Sequence, residues 1–490
     1  MKKLLTLMIC SFVLTSCDKY LDKDPDLRTD LGSVEKVSDL LTSAYTNASY
    51  FNMAEARTDN VTSIKEVQEF NAVNSTGYYW TDTDEGFQDT PNYFWTNTYK
   101  AIAAANHALR EIAQAGKPEL YSAQKGEALM CRAYGHFMLV QFFSKFYDEA
   151  TASTDLGIPY VTEPETTVFK DYERGTVAYV YNMIEKDMLE GLALIDDDVY
   201  DKPKFHFNLK AAHAFAARFY LFKKMYEKVI YHANQVLPQV NVSSVMRDLK
   251  GKYFPMGAQE YGATYVSSSE NANLLLTEQT SYYARFYGNQ HYALSGALRA
   301  EIYDNAVVPR PNAYKTWIFN TYVHGIKKFN EHWVSTSINS ANGLAWFVAP
   351  LFTTEEALFN RAEAFASSNQ FDLALADINE FVKNRVMTAS YNQDFVLDKN
   401  RLKAYFYGKA AQEEISDNEY KEAIIKACLQ FRRMEFMYEG IRWFDILRHK
   451  LPVEHVTTEG AVIRLPVNSP KRIIQIPSFA IANGIEPNER

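Results

Sequence analysis

Apolar residues return at three- and four-residue steps over most of this chain. In "SAQKGEALMCRAYGHFMLVQFFSKFY", Ala128, Cys131, Ala133, Tyr134, Phe137, Met138 and Val140 keep that step, which predicts a helix with a broad buried face. The preceding "NTYKAIAAANHALREIAQ" predicts its partner. A second pair follows in "TVAYVYNMIEKDMLEGLALI" and "NLKAAHAFAARFYLFKKM", continued by "YEKVIYHANQVL". A third unit is "LFNRAEAFASSNQ" with "FDLALADINEFVKNRV", and "YKEAIIKACLQFRRMEFMYEGIRWFDILRHK" predicts a last hairpin.

Setting Tyr226 on Phe371 aligns Val229 with Ala374, Ile230 with Leu375 and Asn234 with Asn379. Each unit is a helix, a tight turn and a second helix with small residues at the crossing, similar to a tetratricopeptide hairpin. The expected fold is therefore mainly α: a tetratricopeptide-like scaffold with repeats at about 93–237 and 353–450. Between them, about 240–350, lies a loop-rich lobe of Tyr, Asn, Ser and Gly with short strand-like runs such as "NLLLTEQ" and "YKTWIFNTYV". Residues 57–92 also read as irregular. Loops held on a rigid frame are a usual place for binding.

The amino-terminal pattern is different. Lys2 and Lys3 precede an apolar run from Leu4 to Leu14. That run is shorter than the about 20 residues a spanning helix needs, and it suits the core of an export signal. Leu14-Thr15-Ser16-Cys17 then resembles a bacterial lipobox, in which cleavage precedes the cysteine and its thiol carries lipid. Residues 1–16 are expected to be a signal peptide, Cys17 the lipidated residue, and 17–33 an acidic tether. An ordinary signal with a chance cysteine is the alternative. One acyl chain binds a membrane marginally, whereas several hold firmly.

Charge narrows the partners. Lys plus Arg number 51 and Asp plus Glu 60, for a net −9. Loss of Lys2 and Lys3 with the signal makes the mature chain more acidic still. This argues against nucleic acid and against electrostatic adhesion to anionic lipid. Of four cysteines, Cys131 and Cys428 lie in helical apolar stretches and are expected as buried free thiols rather than a disulfide.

Motifs that demand chemistry are missing. There is no nucleophile elbow, zinc-protease helix, phosphate loop or dinucleotide fingerprint, and no metal-ligand spacing among ten histidines. His107, His136 and His213 fall within the hairpins, where a structural role is expected. "TDTDEGFQD" has the oxygen-rich look of a calcium loop without its spacing, and is expected to be a polar solvated loop. No cofactor is expected. A carboxylate pair of the glycosidase kind is open to any chain with 60 acids, so it distinguishes nothing.

Aromatic residues in polar surroundings are more informative. "GYYWTDTDEG" sets Tyr78, Tyr79 and Trp80 among turn formers. "SYYARFYGNQ" sets Tyr282, Tyr283, Phe286 and Tyr287 beside Arg285 and Asn289. A flat ring next to amide and guanidinium donors suits a sugar, whose C–H face packs on the ring while its hydroxyls take hydrogen bonds. The candidate ligand residues are Tyr79, Trp80, Tyr283 and Tyr287 for stacking, Arg285 and Asn289 for hydrogen bonding, and Trp317 in addition. The competing reading is that such rings pack back onto the scaffold. Trp95 and Trp443 are expected in the core.

Several motifs in order resemble the SusD/RagB family of outer-membrane nutrient-uptake lipoproteins. They are "SCDKYLDKDPD", "CRAYGHFMLVQFFSKFY" followed by "LGIPYVTEP", "FNRAEAFA", and above all "RRMEFMYEGIRWFDILRHK". The last carries Arg432, Arg433, Glu435, Glu439, Gly440, Arg442, Trp443, Asp445 and Arg448, expected to form a helical salt-bridge network. The resemblance implies one SusD-like domain over 34–490. It also implies a lipid anchor in the outer membrane facing the exterior, a SusC-like TonB-dependent transporter as partner, and oligosaccharide capture without cleavage. The same scaffold binding peptide or another nutrient, or a helical-frame glycoside hydrolase, are the alternatives.

Overall fold

The computed structural model describes residues 33–165, 172–308, 313–335, 337, 340, 342–387 and 393–490. The signal segment, Cys17 and the acidic stretch to residue 32 lie outside the described residues.

The fold is mainly α. Helix α1 (Val34–Leu41) leads into α2 (Pro91–Gln114) and α3 (Ser122–Phe143). The Thr90 side chain caps α2 by accepting the Tyr93 N–H, and Pro91 fills the first turn, where no donor is needed. Helix α3 is buried on every side except at Ser122 and Lys125, so it serves as the central post of the frame. Helix α4 (Val177–Leu192) crosses it at Gly126 and Gly191; a Cβ on Gly126 would meet the Leu194 carbonyl carbon at 2.9 Å. Further hairpins are α5 (Leu209–Phe222) with α6 (Tyr226–Val236) and α7 (Thr354–Ser367) with α8 (Phe371–Arg385). The last pair is α9 (Asp417–Glu435) with α10 (Ile441–Arg448).

Matching ion pairs fasten two helix pairs. Arg132 of α3 grips Asp187 of α4 through two bonds of 2.6 and 2.8 Å. Arg361 of α7 grips Asp377 of α8 at 2.8 and 2.7 Å. Such forked pairs fix the angle between helices as well as their contact. Cys131 and Cys428 are buried and free. Trp95 and Trp443 are core residues. His136 is fully buried between the Arg132 carbonyl and the Val161 N–H, and burial holds its pKa down to about 3.

Short strands connect these helices. They are β1 (Thr62–Ser63), β2 (Asn273–Thr280), β3 (Tyr292–Ala293), β4 (Trp317–Ile318), β5 (His324–Gly325), β6 (His332–Ser335), β7 (Gly343–Thr353), β8 (Val453–Val456) and β9 (Val462–Leu465). The run "NLLLTEQ" forms β2, but "YKTWIFNTYV" yields only the two residues of β4. The longest strand is β7, the centre of an antiparallel sheet ordered β2-β7-β6. Pro350 of β7 sits opposite Leu276, where the register slips, as expected for a residue that cannot donate to the ladder. Phe347 faces inward, with ring centroids 5.7 Å from Phe51 and 5.3 Å from Phe329.

The charged residues of "RRMEFMYEGIRWFDILRHK" do more than fix the last hairpin. Arg432 and Arg448 both hold Asp445, and Arg448 also holds Glu363 of α7 at 2.6 Å. Glu435 meets Arg385 at 2.8 Å, Glu439 meets Lys328 at 2.7 Å, and Arg442 meets Asp59 at 2.8 Å. Burial opposes ionisation of Glu435, but Arg385 overcomes it and holds the pKa down to about 2. Gly440 takes φ +68°, which lets its N–H and that of Tyr438 reach the buried Glu55 carboxylate. One motif thus ties the helical frame to the segments around residues 55–60 and 328.

Candidate functional site

The "GYYW" rings are structural. Tyr292, Tyr78, His455 and Trp80 form an internal column, with successive centroids 4.0, 4.0 and 4.5 Å apart. Trp80 is 5% exposed, and its indole N–H donates to the Arg57 carbonyl at 3.1 Å. Tyr79 is half-buried against Tyr78 and Tyr292. The expectation that Trp80 offers a ring face to ligand is therefore corrected: both its stacking and its polar atom are used inside. The loop after it is solvated only as far as Phe87. Gln88 and Asp89 turn inward, Gln88 donating to the Ala345 carbonyl at 3.0 Å.

In the second cluster the segment is mostly buried; of residues 281–290 only Arg285 and Asn289 are exposed, with Tyr282 and Phe286 half-buried. Strand β2 ends at Thr280, and Tyr283–Phe286 form one helical turn. Residues four apart then share a face. Tyr283 and Tyr287 share the inner one, each 2% exposed. Tyr287 packs on Phe329 and Tyr438 with its hydroxyl between Ile326 O and Lys328 N. Tyr283 and Tyr287 are thus corrected from ligand platforms to core. Tyr282, Arg285, Phe286 and Asn289 take the outer side. Trp317 is half-buried, edge-on to Tyr261 at 5.1 Å, and among the described residues its ring has no contact with the outer group.

Around that outer turn an aromatic surface assembles from three distant stretches. Phe70, 48% exposed, lies face to face with Phe286 at 3.5 Å and 5.9 Å from Tyr282. Its approach is fixed upstream: β1 pairs with β3, Ile64 N–H donates to His291 O, and the His291 ring reaches Val67 O at 2.7 Å. Trp333, on the edge strand β6, is 45% exposed. The Arg285 guanidinium stands 5.4, 5.6 and 5.7 Å from the Tyr282, Phe286 and Trp333 ring centres. Glu331 holds it in a forked pair, with the Nε bond at 2.7 Å. That bond raises the Arg285 pKa further. Asn289 accepts from Asn320 at 2.6 Å, and Tyr322 beyond it is exposed. A cleft of about 460 Å³ opens alongside, lined by Thr62, Ser63, Glu66, Gly296, Thr321 and Tyr322 among others.

Beneath the turn lies Asp89, 1% exposed and at φ +72°. It accepts the Ser281 hydroxyl and, at 3.0 Å, the Tyr282 N–H. Burial raises its carboxyl to about 7 despite these two bonds. The arrangement presents apolar ring faces, a guanidinium fixed by the Glu331 carboxylate, and amides. Among the described residues no cluster of three metal-binding side chains forms, and no helix is long and apolar enough to cross a membrane. Phe70 and Trp333 were missed by the sequence reading because each stands alone among polar or charged neighbours.

Comparison with known proteins agrees with this architecture. A family model described as starch-binding associating with outer membrane matches residues 19–221, and the SusD family model matches 238–461. A SusD superfamily protein of Bacteroides thetaiotaomicron VPI-5482 shares the fold at TM-score 0.67 and 17% identity, over 94% of this chain and 100% of its own. One from Bacteroides vulgatus ATCC 8482 aligns at 0.65 and 19%, over 93% and 97%. A SusD-like carbohydrate binding protein of the same strain aligns at 0.65 and 16%, over 92% and 96%. None of the curated proteins compared matches the chain. With two SusD models in tandem over nearly all of the described fold, the chain belongs to the SusD/RagB family.

Proposed function

We propose that this protein captures oligosaccharide at the cell surface and passes it to a SusC-like TonB-dependent transporter. In this reading Cys17 carries the lipid that holds it on the outer membrane, facing outward, and it does not cleave its ligand. The helical repeats at about 93–237 and 353–450 serve as frame, and the 240–350 lobe carries most of the ligand contacts. The observation that carries the proposal is the group of exposed Phe70 and Trp333 with half-buried Tyr282 and Phe286 around Arg285. The carbohydrate-binding relative named above and the starch-binding family description support the ligand class.

Magnitudes fit a capture role. A sugar face stacked on one ring removes on the order of 50 Å² of apolar surface from water on each side, or about 1–2 kcal/mol. Two such stacks and a few hydrogen bonds, less the entropy of binding, give an affinity on the order of micromolar to millimolar. The test is calorimetry of the secreted form, residues 18–490, against panels of neutral and acidic oligosaccharides and peptides, with Trp333→Ala and Phe286→Ala alongside. Glycan binding lost in both variants supports the proposal. Binding of peptides alone assigns the scaffold to another nutrient, and release of reducing sugar by the purified protein refutes the absence of cleavage.

A further inference from the structure

A larger cavity lies elsewhere on the same sheet, on the face turned away from the Phe51–Phe329–Phe347 core. It measures about 600 Å³, and its walls include Trp346, Glu278, Tyr45, Asn97, Lys100 and Lys202. Strand alternation creates it. In β7, Ala345 and Phe347 are buried inward, so Trp346 between them points to the opposite face. Its neighbours across the ladder are Thr280 and His332. Trp346 is half-buried, and among the described residues neither its ring nor its indole N–H has a partner.

The charges on these walls are unspent as well. Lys100 of α2 and Lys202 are exposed, and among the described residues neither pairs with a carboxylate. Glu278 is exposed and unpaired too, so the cavity carries two free cations against one free anion. The Asn97 amide N–H donates to its own helix at Tyr93 O, which leaves its carbonyl oxygen to accept.

From this we infer that the cavity is a second saccharide site, selective for oligosaccharides that bear uronic acid units. Trp346 supplies the face on which a pyranose ring packs. Lys100 and Lys202 meet the uronate carboxylate. Glu278 and the Asn97 carbonyl accept from sugar hydroxyls. The inference rests on the saccharide-binding reading above but places the acidic unit away from the Phe286–Trp333 surface. The two surfaces share one sheet: Trp333 and Trp346 sit on adjacent strands, Trp333 opposite Ala345 and Trp346 opposite His332.

The test titrates residues 18–490 with oligogalacturonate and oligoglucuronate and with their neutral counterparts. The proteins compared are the wild type, Trp346→Ala, the pair Lys100→Gln/Lys202→Gln, and Trp333→Ala. Acidic oligomers are expected to lose roughly ten-fold or more in affinity in Trp346→Ala, as for removal of one stacking ring. The lysine pair, exposed and outside the core, is expected to lose a similar factor for acidic ligands only, with a weaker salt dependence. Trp333→Ala is expected to leave the acidic titration intact. Three results overturn the inference: no binding of uronate oligomers at millimolar concentration, binding indifferent to both Trp346→Ala and the lysine pair, or binding abolished by Trp333→Ala alone. The last leaves saccharide capture standing and removes only the second site; absence of binding to any saccharide removes both.

Discussion

Asp89→Asn tests the buried support of the aromatic turn. Asp89 accepts from Ser281 and Tyr282 in a site 1% exposed, and among the described residues no basic side chain pairs with it. Its pKa is about 7 in the folded chain against an ordinary 3.8. A rise of that size corresponds to about 4 kcal/mol of stability. The sign follows from proton counting. Between pH 4 and 7 the folded chain keeps a proton that the unfolded chain has released, so stability falls as pH rises, by up to about 1.4 kcal/mol per pH unit. His136 and His232, lowered to about 3 and about 4, titrate in part of this window with the opposite sign, since there the folded chain holds fewer protons. They are common to both proteins and cancel in the difference.

Asparagine stays neutral, keeps one acceptor, and tolerates the left-handed backbone at this position. It gives up part of the pair of hydrogen bonds, a loss of about 1–2 kcal/mol. The variant is therefore expected to match the wild type near pH 5 and to be about 2–3 kcal/mol more stable at pH 8. Urea unfolding of both proteins at half-unit steps from pH 5 to 8 measures this directly. A difference that is flat with pH, or that grows in favour of the wild type at high pH, refutes an isolated buried carboxyl at Asp89.

Other outcomes follow from the same structure. Trp333→Ala is expected to weaken binding of neutral glycans by roughly ten-fold while stability stays within about 0.5 kcal/mol, since the ring is exposed; calorimetry and urea titration separate the two. Tyr283→Ala is expected to do the reverse, costing about 3–5 kcal/mol of stability because the ring is core. Arg385→Met leaves Glu435 and Glu355 facing each other without their shared cation, an expected loss of roughly 3–5 kcal/mol by the same titration. Cys17→Ser is expected to release the protein from the membrane pellet, read by fractionation of cells expressing either form.

The hairpin frame could be read in the chain because helix packing writes a local, repeated pattern. Apolar and small residues at three- and four-residue steps marked α2 to α10. Arg432 through Arg448 carry enough charge in a fixed order to identify the family and its network. The aromatic surface left a weaker mark. The segment 282–289 stood out by composition, but which of its side chains face outward depended on one helical turn after β2; strand alternation would put Arg285 and Asn289 on the same face as Tyr283 and Tyr287 instead of beside Tyr282 and Phe286. Phe70 and Trp333 carry no local signal at all. Phe70 meets Phe286 from more than 200 residues away, and Trp333 meets Arg285 from beyond the β4–β5 hairpin, only because β1 pairs with β3 and β6 lies beside β7. Periodicity records which face of an element is buried against its neighbours in sequence. A binding surface is assembled by contacts between distant strands and loops, and those are decided only when the whole sheet and frame have closed.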